Sequence, residues 1–162
     1  GKPFLMLGGQ SANSTSSSQA KTDVFYEGLK AMNANTAEMP IYWEMVEPSP
    51  GQYDFTVVDR VIEAARKVDM KLVILWFASW KNGESHYTPE WVKRDTETYP
   101  RVIDSWGKTT NILSPLSTAS RDADARAFAA VMKHIRDIDS KDRTVIMMQV
   151  ENEPGFLHTD RD

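Results

Sequence analysis

The chain has no cysteine, which excludes disulfide frameworks, thiolate zinc sites and cysteine nucleophiles together. It also lacks a surplus of positive charge: 19 Lys and Arg stand against 23 Asp and Glu, a net charge of -4. The basic stripe of a protein that tracks a phosphate backbone is therefore missing, and a neutral partner fits better than nucleic acid. No apolar stretch approaches the roughly 20 residues of a membrane span, so no membrane partner is expected. The only histidines, His86, His134 and His158, lie far apart without paired ligand spacing and read as structural or surface residues, so no metal is expected. Gly8-Gly9 lacks the spacing and the Lys-Ser/Thr that would cradle phosphates, and no cofactor is expected. The N-terminus, Gly1-Lys2-Pro3, has neither an initiator Met nor a signal-peptide core, so the chain is expected to be a processed or cut piece.

What is present is enough apolar sequence for a real core, 41% of 162 residues. Four short runs rich in β-branched, aromatic and Met residues read as strands: Phe4 to Leu7, Thr36 to Trp43, Leu72 to Phe77 and Val145 to Val150. Between them lie amphipathic helices, clearest in Val57, Val58, Val61, Ile62, Ala65 and Val68, and again in Ala123, Ala127, Phe128, Val131, Met132 and Ile135. A weaker helix covers Gln19 to Asn33. Strand and helix alternate, which demands parallel pairing through right-handed crossovers. The first two repeats are about 34 residues long and the third roughly twice that. The excess, about Ala78 to Ser120, holds Trp80, Tyr87, Trp91, Tyr99 and Trp106 and follows the C-terminal end of a strand, where α/β barrels place their active-site loops; its aromatics suit either a binding loop or a small satellite core.

The sharpest local signal is Gln149-Val150-Glu151-Asn152-Glu153-Pro154-Gly155, an apolar strand that runs into two carboxylates and an amide before Pro-Gly stops it. At the tip of a barrel strand such a carboxyl points into a substrate cleft. With a raised pKa it can protonate a glycosidic oxygen and then serve as base toward water. Glu153, nearest the tip, is the candidate. Strand alternation would put Glu151 and Glu153 on one side and Asn152 on the other, so presenting Asn152 and Glu153 to one sugar needs a local break. Salt bridging among loops is the alternative use of these carboxylates.

Asn152-Glu153 at the end of a fourth strand resembles the acid/base signature of the large clan of retaining (β/α)8 glycosidases. Ile41-Tyr42-Trp43-Glu44-Met45-Val46-Glu47-Pro48, followed by Pro50-Gly51-Gln52-Tyr53-Asp54-Phe55, resembles the stretch after the second strand in β-galactosidases of glycoside hydrolase families 35 and 42. Trp80-Lys81-Asn82-Gly83 with Thr88-Pro89-Glu90-Trp91-Val92 resembles the sugar-covering loop of a family 35 subgroup. The resemblance implies an α/β fold, specifically the N-terminal half (strands 1 to 4) of a TIM (β/α)8 barrel, with residues 1–162 as a partial catalytic domain. It further implies a family 35-like exo-β-galactosidase acting with retention, Glu153 as acid/base and Asn152 near the sugar 2-hydroxyl. Tyr42, Glu44, Trp80, Lys81 and Asn82 are the other expected substrate contacts, since rings and polar groups at a cleft recognise the apolar face and the hydroxyls of a sugar. Glu47-Pro48 and Tyr53-Asp54-Phe55 read as turn and packing residues.

A full barrel needs about 250 residues. The nucleophile, a late Glu in the family, is therefore expected outside this chain, the missing C-terminal half of the barrel is the expected partner beside a carbohydrate substrate, and the chain alone is expected to be inactive. A periplasmic or secreted location is the family expectation. Pro154 makes the tip Asn-Glu-Pro, the form also seen in family 5 endoglucanases and mannanases, so a β-mannanase or endoglucanase-like glycanase is one alternative. A non-catalytic sugar-binding or assembly half-barrel is another.

Overall fold

The computed structural model describes residues 3–154. Its main sheet has four parallel strands in chain order, β1 (Gly8–Gln10), β2 (Thr36–Tyr42), β3 (Lys71–Lys81) and, after an inserted hairpin, β6 (Val145–Asn152). The hairpin is β4 (Arg101–Ile103) with β5 (Thr109–Leu113), antiparallel. The crossovers carry α1 (Gln19–Ala31), α3 (Thr56–Lys67) and α5 (Thr118–Asp139); α2 (Trp43–Val46) is a single turn directly after β2, and α4 (Glu90–Arg94) precedes the hairpin. This is the arrangement of strands one to four of a (β/α)8 barrel with an elaborated third crossover.

The central strands form because their sequence suits burial on both faces. Leu72 through Ser79 are all buried, as is all of β2 except Glu38. Trp76 faces α5, where its ring lies 6.0 Å from that of Phe128. The next residue, Phe77, falls on the other face with Tyr42 and Tyr87, at ring distances of 6.3 and 5.4 Å. On α3, Val57, Val58, Val61, Ile62, Ala64 and Ala65 are buried, and burying each Val or Ile side chain contributes about 1.5–3 kcal/mol. Ser18 caps α1 and Ser117 caps α5 through their side chains, satisfying helix amides that have no partner within the helix. Arg66 of α3 reaches Asp139 Oδ1 (2.6 Å) and Thr144 Oγ1 (3.1 Å), while Asp139 Oδ2 accepts from Val145 N (2.8 Å). One guanidinium thus sets where β6 begins. His134 serves packing, stacked on Phe55 at 4.2 Å and bonded to Asp59 at 2.6 Å; His86 is exposed, and His158 lies outside the described residues.

The first strand differs from the sequence expectation. Phe4 to Leu7 are exposed and unpaired in the sheet, and β1 begins only at Gly8. The reason is Asn35, whose side chain accepts from Leu7 N (2.9 Å) and donates to Leu5 O (2.9 Å), tying that segment down by a side chain. Strand pairing starts where the chain has no Cβ: at Gly8 one would sit 2.1 Å from the Thr36 carbonyl oxygen. Glycine is depleted in strands, so residue preference hides this pairing. The other strands run past their expected ends, β3 to Lys81 and β6 to Asn152, whereas β2 stops at Tyr42 and Trp43 opens α2. Among the described residues both outer strands leave an edge unpaired, and β6 exposes Ile146, Met147 and Val150.

Gly8→Ala should force β1 away from β2 and destabilise the fold by about 1–3 kcal/mol, the usual size of an overpacking penalty. Chemical denaturation of the variant against Gly9→Ala, whose added methyl would meet only a Leu29 side chain at 3.1 Å, checks the position dependence. Equal losses at the two sites would show that the close approach at Gly8 is unimportant.

Candidate active site

The C-terminal ends of β2, β3 and β6 bring the candidate residues toward one end of the sheet. The β3–β6 ladder shifts register once between Leu72 and Val73, is regular from Val73 and Met147 to Trp76 and Val150, and shifts again before Lys81 meets Asn152. The shift leaves the Ser79 and Trp80 amides to find other acceptors, which they do on Glu151: Oε1 accepts from Ser79 N (3.1 Å) and Oε2 from Trp80 N (2.8 Å). Glu151 reaches back in this way because its φ is +62°, and Glu153 follows at +52°. These left-handed residues are the local break that the sequence requires. Glu151 is turned toward β3 and α5, while Glu153 is exposed.

Around this break the polar groups are tightly linked. Lys81 Nζ donates to Asn152 Oδ1 (2.7 Å) and to Asn82 Oδ1, and lies 5.0 Å from the centre of the Phe77 ring. Gly83 N donates to Glu153 O (2.9 Å). Asn82, at φ +55°, forms the exposed tip of this turn. Trp80 is half-buried and its indole Nε1 has no acceptor among the described residues. Lys81, Asn82, Asn152 and Glu153 therefore come together as one group, with Trp80 beside them.

The two candidates from β2 stand apart from that group. Tyr42 is buried, its hydroxyl donates to Asn13 O (2.6 Å) and lies 2.9 Å from Ser16 Oγ, and its ring stacks on Tyr87 at 5.1 Å. Burial pushes its phenol up to about 12. Its polar atom is thus committed to the loop after β1, and direct contact with a ligand is not what its position offers. Glu44 is more open and pairs with Lys93 at 3.1 Å. The Glu47-Pro48 segment is the expected turn: buried Glu47 accepts from Trp43 Nε1 and Gly51 N, both at 2.7 Å. Trp91 and Tyr99 pack at this turn as a satellite core with Trp43, whereas Trp106 is 82% exposed on the hairpin.

Sequence reasoning missed Asp124 and Ser79. Asp124 on α5 is buried and accepts from Trp76 Nε1 (2.8 Å), Ser79 N (3.1 Å) and Ser79 Oγ. It shares the Ser79 amide with Glu151, whose Oε1 lies 3.1 Å from the same nitrogen. The available signal was a carboxylate inside the apolar stripe Ala123, Ala127, Val131, where an acid needs partners. The sequence reading attaches a raised pKa to Glu153, and the residue the structure raises is Glu151: burial first, then the neighbouring Asp124 carboxyl, push it up to about 10 against the opposing Trp80 and Ser79 amides. Among the described residues no three His, Asp or Glu converge as metal ligands, and no helix is long and apolar enough to cross a membrane.

The model of glycoside hydrolase family 42, described as β-galactosidase, matches residues 13–161. Among solved structures, the chain is similar to an exo-β-1,4-mannosidase from Opitutaceae bacterium strain TAV5, at 17% identity and a TM-score of 0.65 over 93% of this chain and 25% of that one. It is similar to a family 39 glycoside hydrolase from the gut symbiont Bacteroides cellulosilyticus WH2, at 19% identity and a TM-score of 0.59 over 91% and 24%. It also resembles the catalytic domain of β-amylase from Paenibacillus polymyxa, at 16% identity and a TM-score of 0.65 over 90% and 35%. At these identities the likeness is one of fold, a partial TIM barrel, and the chain spans about a quarter to a third of the length of those structures. Of the two β-galactosidase families whose motifs the second-strand segment resembles, family 42 is the one matched.

A carboxyl raised from 4.5 to about 10 contributes stability that is complete below the unfolded value and is lost as pH rises toward the folded one, because across that window folding takes up a proton. Stability should therefore fall with pH between about 6 and 8, more steeply in the wild type than in Glu151→Gln, by about 1.4 kcal/mol per pH unit. Urea denaturation at two pH values reads this directly. Parallel slopes would mean that Glu151 folds in its ionised form.

Proposed function

Because the chain belongs to glycoside hydrolase family 42, whose model covers residues 13–161, we propose that it supplies strands one to four of the catalytic barrel of a retaining exo-β-galactosidase, with Glu153 as the acid/base. The observation that carries this reading is the position of Asn152 and Glu153: they stand at the C-terminal tip of the fourth parallel strand, past a break that turns Glu151 away and leaves Glu153 open. Glu153 would protonate the leaving oxygen while a second carboxylate attacks the anomeric carbon from the opposite face, and would then take a proton from water as the glycosyl-enzyme is hydrolysed. Retention needs those two carboxyls about 5–5.5 Å apart, and the nucleophile belongs to the part of the barrel that pairs onto the open edges of β1 and β6.

The neighbouring groups have roles that follow from their free atoms. Lys81 occupies the carbonyl oxygen of Asn152, which leaves the Asn152 amide N–H groups for the sugar 2-hydroxyl. Asn82 and Lys81 add polar contacts, Trp80 a face for stacking, and Glu44 an acceptor at the rim. Tyr42 acts on this site through Tyr87, against which it stacks. Pro154 supports a second reading, a β-mannanase or endoglucanase-like glycanase, since Asn152-Glu153-Pro154 has the form of that group.

The test is hydrolysis of a panel of nitrophenyl glycosides by a protein carrying the complete barrel. Glu153→Gln should lose about 10²–10⁴-fold on poorly activated leaving groups, and azide should restore turnover of activated ones as the β-glycosyl azide. Preference for the β-galactoside over the β-mannoside and β-glucoside separates the two readings. Full activity in the variant would remove Glu153 from the mechanism and leave a sugar-binding half-barrel as the better account. The 162-residue chain by itself should show no turnover on the same panel, and any turnover would place both carboxyls within it.

A further inference from the structure

Glu151 lies outside the proposed chemistry, yet its geometry is the most constrained at this end of the sheet. Two carboxylate oxygens, Glu151 Oε1 and Asp124 Oδ2, both sit 3.1 Å from the same donor, Ser79 N. One amide cannot neutralise two facing anions in a buried site, so a proton must lie between the carboxyls. Its owner follows from the donor census. Asp124 already accepts from Trp76 Nε1, Ser79 N and Ser79 Oγ, which occupies it as an ionised acceptor, and the proton is left to Glu151.

Other charges do not relieve the pair. Lys81 on β3 is engaged with Asn152 and Asn82, Glu84 in the following turn lies 3.8 Å from His86, and Glu153, two residues along, is another carboxyl and supplies no cation. Among the described residues neither Glu151 nor Asp124 has a salt bridge.

We infer that Glu151 and Asp124 share one proton as a latch that holds the left-handed break of β6 against β3, and that Glu151 is thereby a positioning residue for Asn152 and Glu153. The latch replaces the ladder bonds lost at the register shift, because the neutral acid accepts both freed amides and donates to Asp124. With the latch closed, the chain leaves Glu151 in the direction that lets Lys81 reach Asn152 and Gly83 reach the Glu153 carbonyl. If Glu151 ionises, repulsion from Asp124 opens it. This inference rests on the proposed role of Glu153.

Glutamine can reproduce most of a neutral Glu151, with its NH₂ donating to Asp124 and its oxygen accepting from Trp80 N, while Ser79 N keeps Asp124 Oδ2 as its acceptor. Asparagine cannot reproduce Asp124, since its NH₂ would face donors. In a protein with the complete barrel, assayed on a dinitrophenyl β-galactoside that needs no leaving-group protonation, Glu151→Gln should keep kcat within about threefold of wild type because the bonds to Trp80 N and Asp124 are conserved and Ser79 N retains Asp124 as acceptor. Glu151→Ala and Asp124→Asn should lose about 100-fold in kcat with KM little changed, the size of effect expected when reacting groups are misplaced by about 1 Å. The wild type should lose rate at alkaline pH as the latch ionises, and Glu151→Gln should not. Isotope-edited infrared spectroscopy reads the latch apart from any reaction: a neutral carboxylic acid band should persist near pH 8 and vanish in Glu151→Gln. No such band, or a Glu151→Gln variant as impaired as Glu151→Ala, overturns the inference. If Glu153→Gln leaves activity intact while the band and the Gln/Ala contrast hold, it is the reading of Glu153 that fails, and the latch stands as a support for some other group.

Discussion

The upper end of the sheet depends on one carboxylate placed where apolar surroundings alone would reject it. An ionised group transferred from water to a protein interior costs several kcal/mol unless its oxygens are met by donors. Asp124 meets three, all on β3, and those donors equally need an acceptor once Trp76 and Ser79 are buried. The requirement is mutual, and it fastens α5 to β3 at one height along the strand. Through Ser79 N the same node reaches Glu151 and hence β6. The apolar core sets which faces meet, but apolar contact is tolerant of sliding; this polar node supplies the axial register that the core does not.

That node also explains why β6 ends as it does. A regular strand would have pointed the Ser79 and Trp80 amides to opposite sides of β3, and alternation would have turned Glu151 and Glu153 to the same side. The register shift after Trp76 frees two amides, and a carboxyl two residues past Gln149 is long enough to collect both. The backbone must then cross into the left-handed region, which costs a non-glycine residue about 1–3 kcal/mol. The Ser79 and Trp80 amides converging on the Glu151 carboxyl offset that cost. The result is two acids, separated by a single residue, with different surroundings: Glu151 is half-buried beside Asp124, which pushes its carboxyl pKa up, and Glu153 is exposed.

Much of the fold is legible in the sequence because parallel strands buried on both faces must be continuous apolar runs, and β2, β3 and β6 are. The amphipathic stripes of α3 and α5 are equally direct. β1 is not legible, since its pairing depends on the absence of a Cβ at Gly8 and on the Asn35 side chain, and neither raises strand preference. The site is partly legible for a similar reason. Asn152 and Glu153 announce themselves as polar residues closing an apolar run, and Lys81 and Asn82 follow from their place after β3. Tyr42 was taken for a contact because an aromatic hydroxyl at a strand end has the right chemistry; only the structure shows that Asn13 and Ser16 hold that hydroxyl. Asp124 was passed over because it is one polar letter in a helix whose apolar spacing is complete without it.

The long third crossover sorts its aromatics by how soon they leave the sheet. Trp80, still within β3, stays at the strand tip. Trp91 and Tyr99, past the turn, pack edge-on with one another and with Trp43, and the Trp91 indole donates to the Glu47 backbone. Glu47 in turn receives the Trp43 indole and the Gly51 amide. The segment after β2 is therefore braced from outside by the segment after β3. Glu44 inherits its position from that brace, because its amide bonds to Tyr87 O and its carboxylate to Lys93, both in the same crossover. The insertion is consequently less a flap over the site than a second wall, which fixes the β2 side of the sheet end as Asp124 and Glu151 fix the β6 side.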